Sequence, residues 1–137
     1  MKTTIALAPL LDVRHLLMRA VHYAVDGPCT LEEITDGCAV FSMCDQAGRI
    51  VGAFALQCLT DADGTVMHVN AAGGLPGQRL DLAGDMAAFV ESEARHRVKA
   101  RAVRCATRRR GLVKRLQRAG YRVHSRAGQG YVMQKEI

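Results

Sequence analysis

Tryptophan is absent from these 137 residues, and aromatic side chains of every kind make up 4%. A stacking platform for single-stranded nucleic acid needs several exposed rings, so that mode of binding has no equipment here. A disulfide scaffold is missing too. The five cysteines are odd in number, most sit in apolar runs, and none stands in a CxxC or Cys/His ligand spacing. That pattern predicts reduced thiols packed as small hydrophobes and no metal site. No apolar stretch reaches the roughly 20 residues of a membrane span. The run 5–11 after Lys2 is short, holds Pro9, and meets Asp12 and Arg14 without a small-residue cleavage site, so no secretory leader is expected. The expected location is a reducing cytoplasm.

A further absence is local. Residues 95–126 hold thirteen Lys/Arg and no acid, whereas residues 1–94 hold five Lys/Arg against twelve Asp/Glu. The net charge of +6 therefore hides an acidic segment of −7 and a basic block of +13. Such a bias exceeds what solvation requires and suggests an interaction surface.

What is present is an ordinary globular composition, 49% apolar and 23% charged, at a length suited to one domain over residues 1–137. A β-prone run over 3–8 precedes an apolar stripe through Val13, Leu16, Leu17, Ala20, Val21 and Ala24, the spacing of one helix face, which Gly27-Pro28 should stop. Thr30 and Glu33 form a capping box for a short second helix. Apolar runs over 38–44 and 50–59 around a turn read as a hairpin, and 65–69 adds a third strand. A Gly-rich loop is expected over 70–79. Asp81 should cap a long helix reaching about Lys99, followed by a strand over 102–107, a helix over 110–119 and strands over 121–125 and 131–137. The order β-α-α-β-β-β-α-β-α-β-β predicts an α/β fold, a single-domain mixed sheet with helices on both faces.

This order resembles the GNAT family of N-acetyltransferases. Two places carry the resemblance locally: the strand 65–69 entering a Gly-rich loop and a helix, and the segment RRRGLVKRLQRAGYRV at 108–123, whose Arg118-Ala119-Gly120-Tyr121 end is similar to the family's last helix and following strand. The resemblance implies acetyl-CoA as donor, with Val69 backbone amides polarising the thioester and Gly73, Gly74, Gly77, Gln78 and Arg79 holding the diphosphate. Departures are equally legible. In the family's phosphate-loop register, Gln78 to Ala83, Leu80 and Asp81 stand where glycine favours close approach. The family's tyrosine general acid maps to Leu116, which has no proton to give, and its asparagine maps to Arg109. An eroded site of this kind, at this size, also resembles the GNAT-like internal virion proteins of short-tailed phages. The resulting expectation is a non-catalytic protein that binds other virion proteins or an acidic protein surface, with no cofactor. The alternatives are an acetyl-CoA-dependent N-acetyltransferase and a nucleic-acid binder using phosphate contacts only.

Individual residues carry these readings. His68 is the candidate base, weighed against a packed strand histidine, which the lack of an acidic partner in sequence favours. Cys105 is a candidate nucleophile, with packing again favoured. Arg108, Arg109, Arg110, Lys114, Arg115 and Arg118 are the candidate interaction surface, expected to converge on one region. The acidic segment of one copy meeting this block on another would give a homo-oligomer.

Overall fold

A computed structural model describes residues 2–22 and 29–137. Ala24 and the expected helix stop at Gly27-Pro28 lie outside them. The element order is the expected one: β1 (Thr4–Leu7), α1 (Leu10–His22), α2 (Leu31–Thr35), β2 (Ala39–Cys44), β3 (Ile50–Asp61), β4 (Gly64–Gly74), α3 (Leu82–Glu93), β5 (Ala102–Thr107), α4 (Arg110–Arg118), β6 (Arg122–Ala127) and β7 (Gly130–Glu136). The strands form one mixed sheet in the order β1-β2-β3-β4-β5-β7-β6, in which only β4 and β5 run parallel.

Alternation along β3 and β4 gives the sheet two buried faces. Ala53, Ala55 and Ala71 meet Val13, Leu16 and Leu17 of α1 and Leu31 of α2. Phe54, Leu56, Met67 and Val69 face the other way, against Met86 and Val90 of α3 and Val113 and Leu116 of α4. Phe54 stacks on Phe41 at 5.2 Å and meets Phe89 edge-on at 5.8 Å, so half of the scarce aromatics serve packing. The capping box forms as expected, with Thr30 Oγ1 accepting from Glu33 N and Glu33 Oε1 accepting from Thr30 N.

Three expectations need correction. Residues 70–74 are strand, not loop: β4 runs on to Gly74, with Gly73 opposite Ala53 and Gly74 opposite Gly52. The glycines there serve packing. A Cβ on Gly73 would lie 1.9 Å from Leu16 O of α1, and one on Gly74 would lie 2.6 Å from Leu82 Cδ1. The long helix also changes character, since α3 ends at Glu93 and a π-helical turn, Ala94–Val98, carries the chain to Lys99 in the left-handed region at φ 58°. Ala94 O accepts from Lys99 N and Ala100 N there, which closes the wider turn. Finally, the cysteines are not uniformly packed; Cys105 is buried and Cys58 is exposed.

The charge partition is partly resolved within the chain. Arg95 and Arg97 pair with Glu91 and Glu93 one turn back, and Arg101 pairs with Asp61 at 3.5 Å. Glu91 is nearly buried and also receives Lys135 Nζ at 2.8 Å and the Tyr121 hydroxyl at 3.2 Å. Lys135 Nζ donates as well to Ala119 O at 3.0 Å, so this cluster fastens the end of α4 to α3 and β7. Burial, together with the Glu91 charge, holds the Tyr121 phenol well above its ordinary value, so it stays protonated. Among the described residues no helix is long and apolar enough to cross a membrane.

Candidate functional site

The site begins with an interruption in the sheet. β4 and β5 pair only from Val66–Ala102 to Val69–Cys105. Beyond that point β4 continues to Gly74 along β3, and β5 continues to Thr107 along β7, so the two strands diverge and a cleft opens between them. At the same point β4 carries a bulge. Ala55 pairs with Ala71 and Leu56 with Val69, which leaves Asn70 as an extra residue. A bulge re-aims the backbone and frees ladder groups where a strand is leaving its neighbour.

Two adjoining cavities fill the divergence, sharing Arg19, Ala72, Arg109 and Leu112 in their walls. One, of 320 Å³, lies beside the bulge and is lined by His68, Val69, Asn70 and Cys105, with Glu33 and Ile34 of α2. The other, of 790 Å³, lies between α4 and the start of α3 and is lined by Gly73, Gly74, Gly77, Gln78 and Arg79. The fold thus brings His68 and Val69 to one end of a cleft and the other five residues to its far end. Gly77 is the loop's turn residue, at φ +76° with open space around it. Gly73 and Gly74 reach the cavity as the end of a strand.

His68 has the partner that sequence reading missed, and it is not an acid. Its Nδ1 lies 2.7 Å from Asn70 Oδ1. Asn70 Nδ2 donates to Ile34 O and to Gln57 Oε1, both at 3.0 Å. A backbone carbonyl only accepts, so the amide orientation is fixed and Oδ1 must accept from His68. Nδ1 therefore carries the proton, and Nε2 holds the lone pair of the neutral ring. Burial lowers the His68 pKa below its ordinary 6.5; the Asn70 bond opposes that shift, and the nearby Arg104 adds to it. At neutral pH the ring is an uncharged base. The spacing H-x-N on one strand, two residues that share a face in regular β structure, was the available signal.

Cys105 is less suited to chemistry. Burial pushes its thiol up to about 12, so almost no thiolate is present near pH 7. Leu116 is buried and lines the larger cavity, where its side chain offers no proton donor. Asp81 is the α3 N-cap. Its Oδ1 accepts from Gly84 N at 2.9 Å, and a Cβ on Gly84 would lie 2.2 Å from its Oδ2. The carboxylate thus occupies the helix start where a ligand phosphate would otherwise find free amides.

The basic block divides. Arg109, Arg115 and Arg118 line the larger cavity, whereas Arg110 and Lys114 lie outside both cavities and are exposed. Arg108 turns away to Gln129 Oε1, at 3.4 Å, and to His22 O. The expected single convergence is replaced by a cleft-lining group and an outer group, because α4 lays one side along the cavity rather than wholly on core.

No protein-family model matches the chain, and no curated protein is similar to it in sequence. Solved structures are similar over nearly its whole length. An agmatine N-acetyltransferase in its apo form superposes with a TM-score of 0.79 at 12% identity, covering 98% of this chain and 100% of that one. A GNAT family acetyltransferase from Elizabethkingia anophelis with acetyl-CoA bound gives 0.75 at 13% identity, covering 99% of each chain. The spermidine N-acetyltransferase from Vibrio cholerae in complex with CoA and spermine gives 0.72 at 11% identity, covering 98% of this chain and 95% of that one. The architecture anticipated from the element order is therefore the architecture found: the chain has the GNAT acetyltransferase fold.

Proposed function

We propose that the protein is an acyl-CoA-dependent N-acyltransferase acting on a primary amine. The observation that carries this reading is the divergence of β4 and β5 at the Asn70 bulge, which sets a neutral histidine in one cavity and a cluster of arginines around the adjoining one. The larger cavity suits a long anionic donor: its wall is cationic, with Met86, Leu112 and Leu116 as apolar contacts. Bound acetyl-CoA would supply an acyl group as a thioester. The chain supplies the rest. Backbone N–H groups of β4 at Val69, the last residue paired with β5, and at the Asn70 bulge just past it polarise the carbonyl oxygen. His68 Nε2 takes the proton that the amine loses as its nitrogen bonds the carbonyl carbon and the C–S bond breaks. The departing thiolate takes its proton from solvent, since Leu116 has none to give.

A second reading, the non-catalytic binding protein with a virion or accessory role, is favoured by the same two substitutions, Leu116 and Asp81. One experiment separates them. A ligand specific for the native state at a hundredfold excess over its Kd stabilises by about 2.7 kcal/mol, about 10 °C at this chain length. Acetyl-CoA is expected to raise Tm by that order and, with a panel of primary amines, to release free thiol. No rise at millimolar acetyl-CoA would overturn the acyltransfer reading, and recovery of the chain from purified phage particles would then support the second.

A further inference from the structure

The larger cavity is walled by five arginines, Arg19, Arg79, Arg109, Arg115 and Arg118, and by a single carboxylate, Asp81. That carboxylate accepts from one amide of α3, Gly84 N. Among the described residues, no carboxylate forms an ion pair with Arg79, Arg115 or Arg118. Arg115 and Arg118 are exposed on α4, three residues apart and on neighbouring positions of one helix side, and both border this cavity. These three guanidinium groups, of Arg79, Arg115 and Arg118, in one concavity repel one another until an anion enters. Guanidinium is also the side chain best shaped for phosphate oxygens.

We infer that Arg115 and Arg118 of α4, with Arg79 of the facing loop, form an anion site that takes the diphosphate of the acyl donor in place of the α3 N-terminus, which Asp81 caps. This rests on the acyl-CoA reading for the identity of the ligand but not for the existence of the site. Phosphate oxygens entering between α4 and the 75–81 loop meet the arginines directly, while the Asp81 carboxylate takes the Gly84 amide and sets a negative charge at the α3 start. The donor is thereby shifted toward α4 relative to a mode anchored on the α3 amides.

Isothermal calorimetry on the full chain tests this with three probes: acetyl-CoA, inorganic pyrophosphate, and S-acetylpantetheine, which lacks phosphate. The double variant Arg115→Gln/Arg118→Gln is expected to weaken acetyl-CoA and pyrophosphate by about a hundredfold, near tenfold per charge-assisted contact, and to leave S-acetylpantetheine within about twofold. The exposed outer pair, Arg110→Gln/Lys114→Gln, removes the same charge from the same helix and is expected to change acetyl-CoA affinity by less than about threefold. Equal losses in both double variants, or unchanged acetyl-CoA affinity in the first with an intact circular dichroism spectrum, would overturn the site. If pyrophosphate binds wild type through Arg115 and Arg118 but neither acetyl-CoA nor S-acetylpantetheine binds, the anion site stands and the acyltransferase reading falls. If acetyl-CoA binds and Asp81→Ser, rather than the arginine variant, changes its affinity, the acyltransferase reading stands and the anion site falls.

Discussion

Replacing Gly73 with alanine is expected to cost about 3 kcal/mol or more, a fall in Tm of about 10 °C by calorimetry. The reason is contact, not conformation. The added Cβ would stand 1.9 Å from Leu16 O and 2.8 Å from its carbonyl carbon, both backbone atoms of a helix packed on the sheet. A flexible side-chain tip would swing aside, but a backbone carbonyl in mid-helix does not, so α1 must lift from β3 and β4. That lift would disturb Val13, Leu16 and Leu17, all buried against Ala53, Ala55 and Ala71. It would also move Arg19, which borders both cavities. Gly111→Ala is the contrasting control. Its Cβ would meet nothing within 4 Å, in the first turn of α4, so stability should be unchanged or rise by about 0.5–1 kcal/mol. Equal Tm values for the two variants would refute the close-approach account of Gly73.

The second large effect concerns His68. His68→Gln is expected to lower kcat for acyl transfer by about 10²- to 10⁴-fold with acetyl-CoA affinity retained, because removal of a general base acts on the transition state. The pH dependence gives a sharper test. Burial, the largest influence, lowers the ring's pKa, so the acid limb of kcat/KM should fall below pH 6.5. Asn70 accepts from Nδ1–H and favours the charged ring, so Asn70→Ala should move the limb to still lower pH while reducing kcat. With a merely structural His68, Asn70→Ala would leave the acid limb where it is. The linkage has the same sign in stability: the folded pKa is depressed below the unfolded value near 6.5, so acidification through that value favours the unfolded chain. His68→Gln should flatten this loss between pH 7 and pH 5 in chemical denaturation.

Much of the architecture was legible because each element carries its own local reason: the stripe of α1, the Thr30–Glu33 box, Asp81 at the start of α3. What escaped reading has a common physical cause. Glycine is demanded both by turns and by close approach of another element, and the letters at 73, 74 and 77 do not distinguish the two uses. Here Gly77 is the turn, and Gly73 and Gly74 are packing. The Asn70 bulge depends on how β3 registers against β4, a long-range property absent from either run alone. The π-helical turn at Ala94–Val98 likewise leaves the apolar spacing of α3 unbroken. The basic block was read as one surface because charge along the chain says nothing about which side of α4 meets a cavity. His68 and Asn70 are the exception, since their spacing was visible and only an expectation of an acidic partner kept it from being used.

The parting of β4 from β5 has a consequence for how such a site can be altered. The opening is held by backbone pairing up to Val69 and Cys105 and by helices seated on either face, so no side chain that would do chemistry is needed to keep it open. Leu116 sits in the apolar core and Asp81 caps a helix, so each has a structural duty in the cleft wall. Side chains in the cleft wall can therefore be exchanged one at a time, to test catalysis, donor anchoring and plain binding separately, while the vessel that holds them persists.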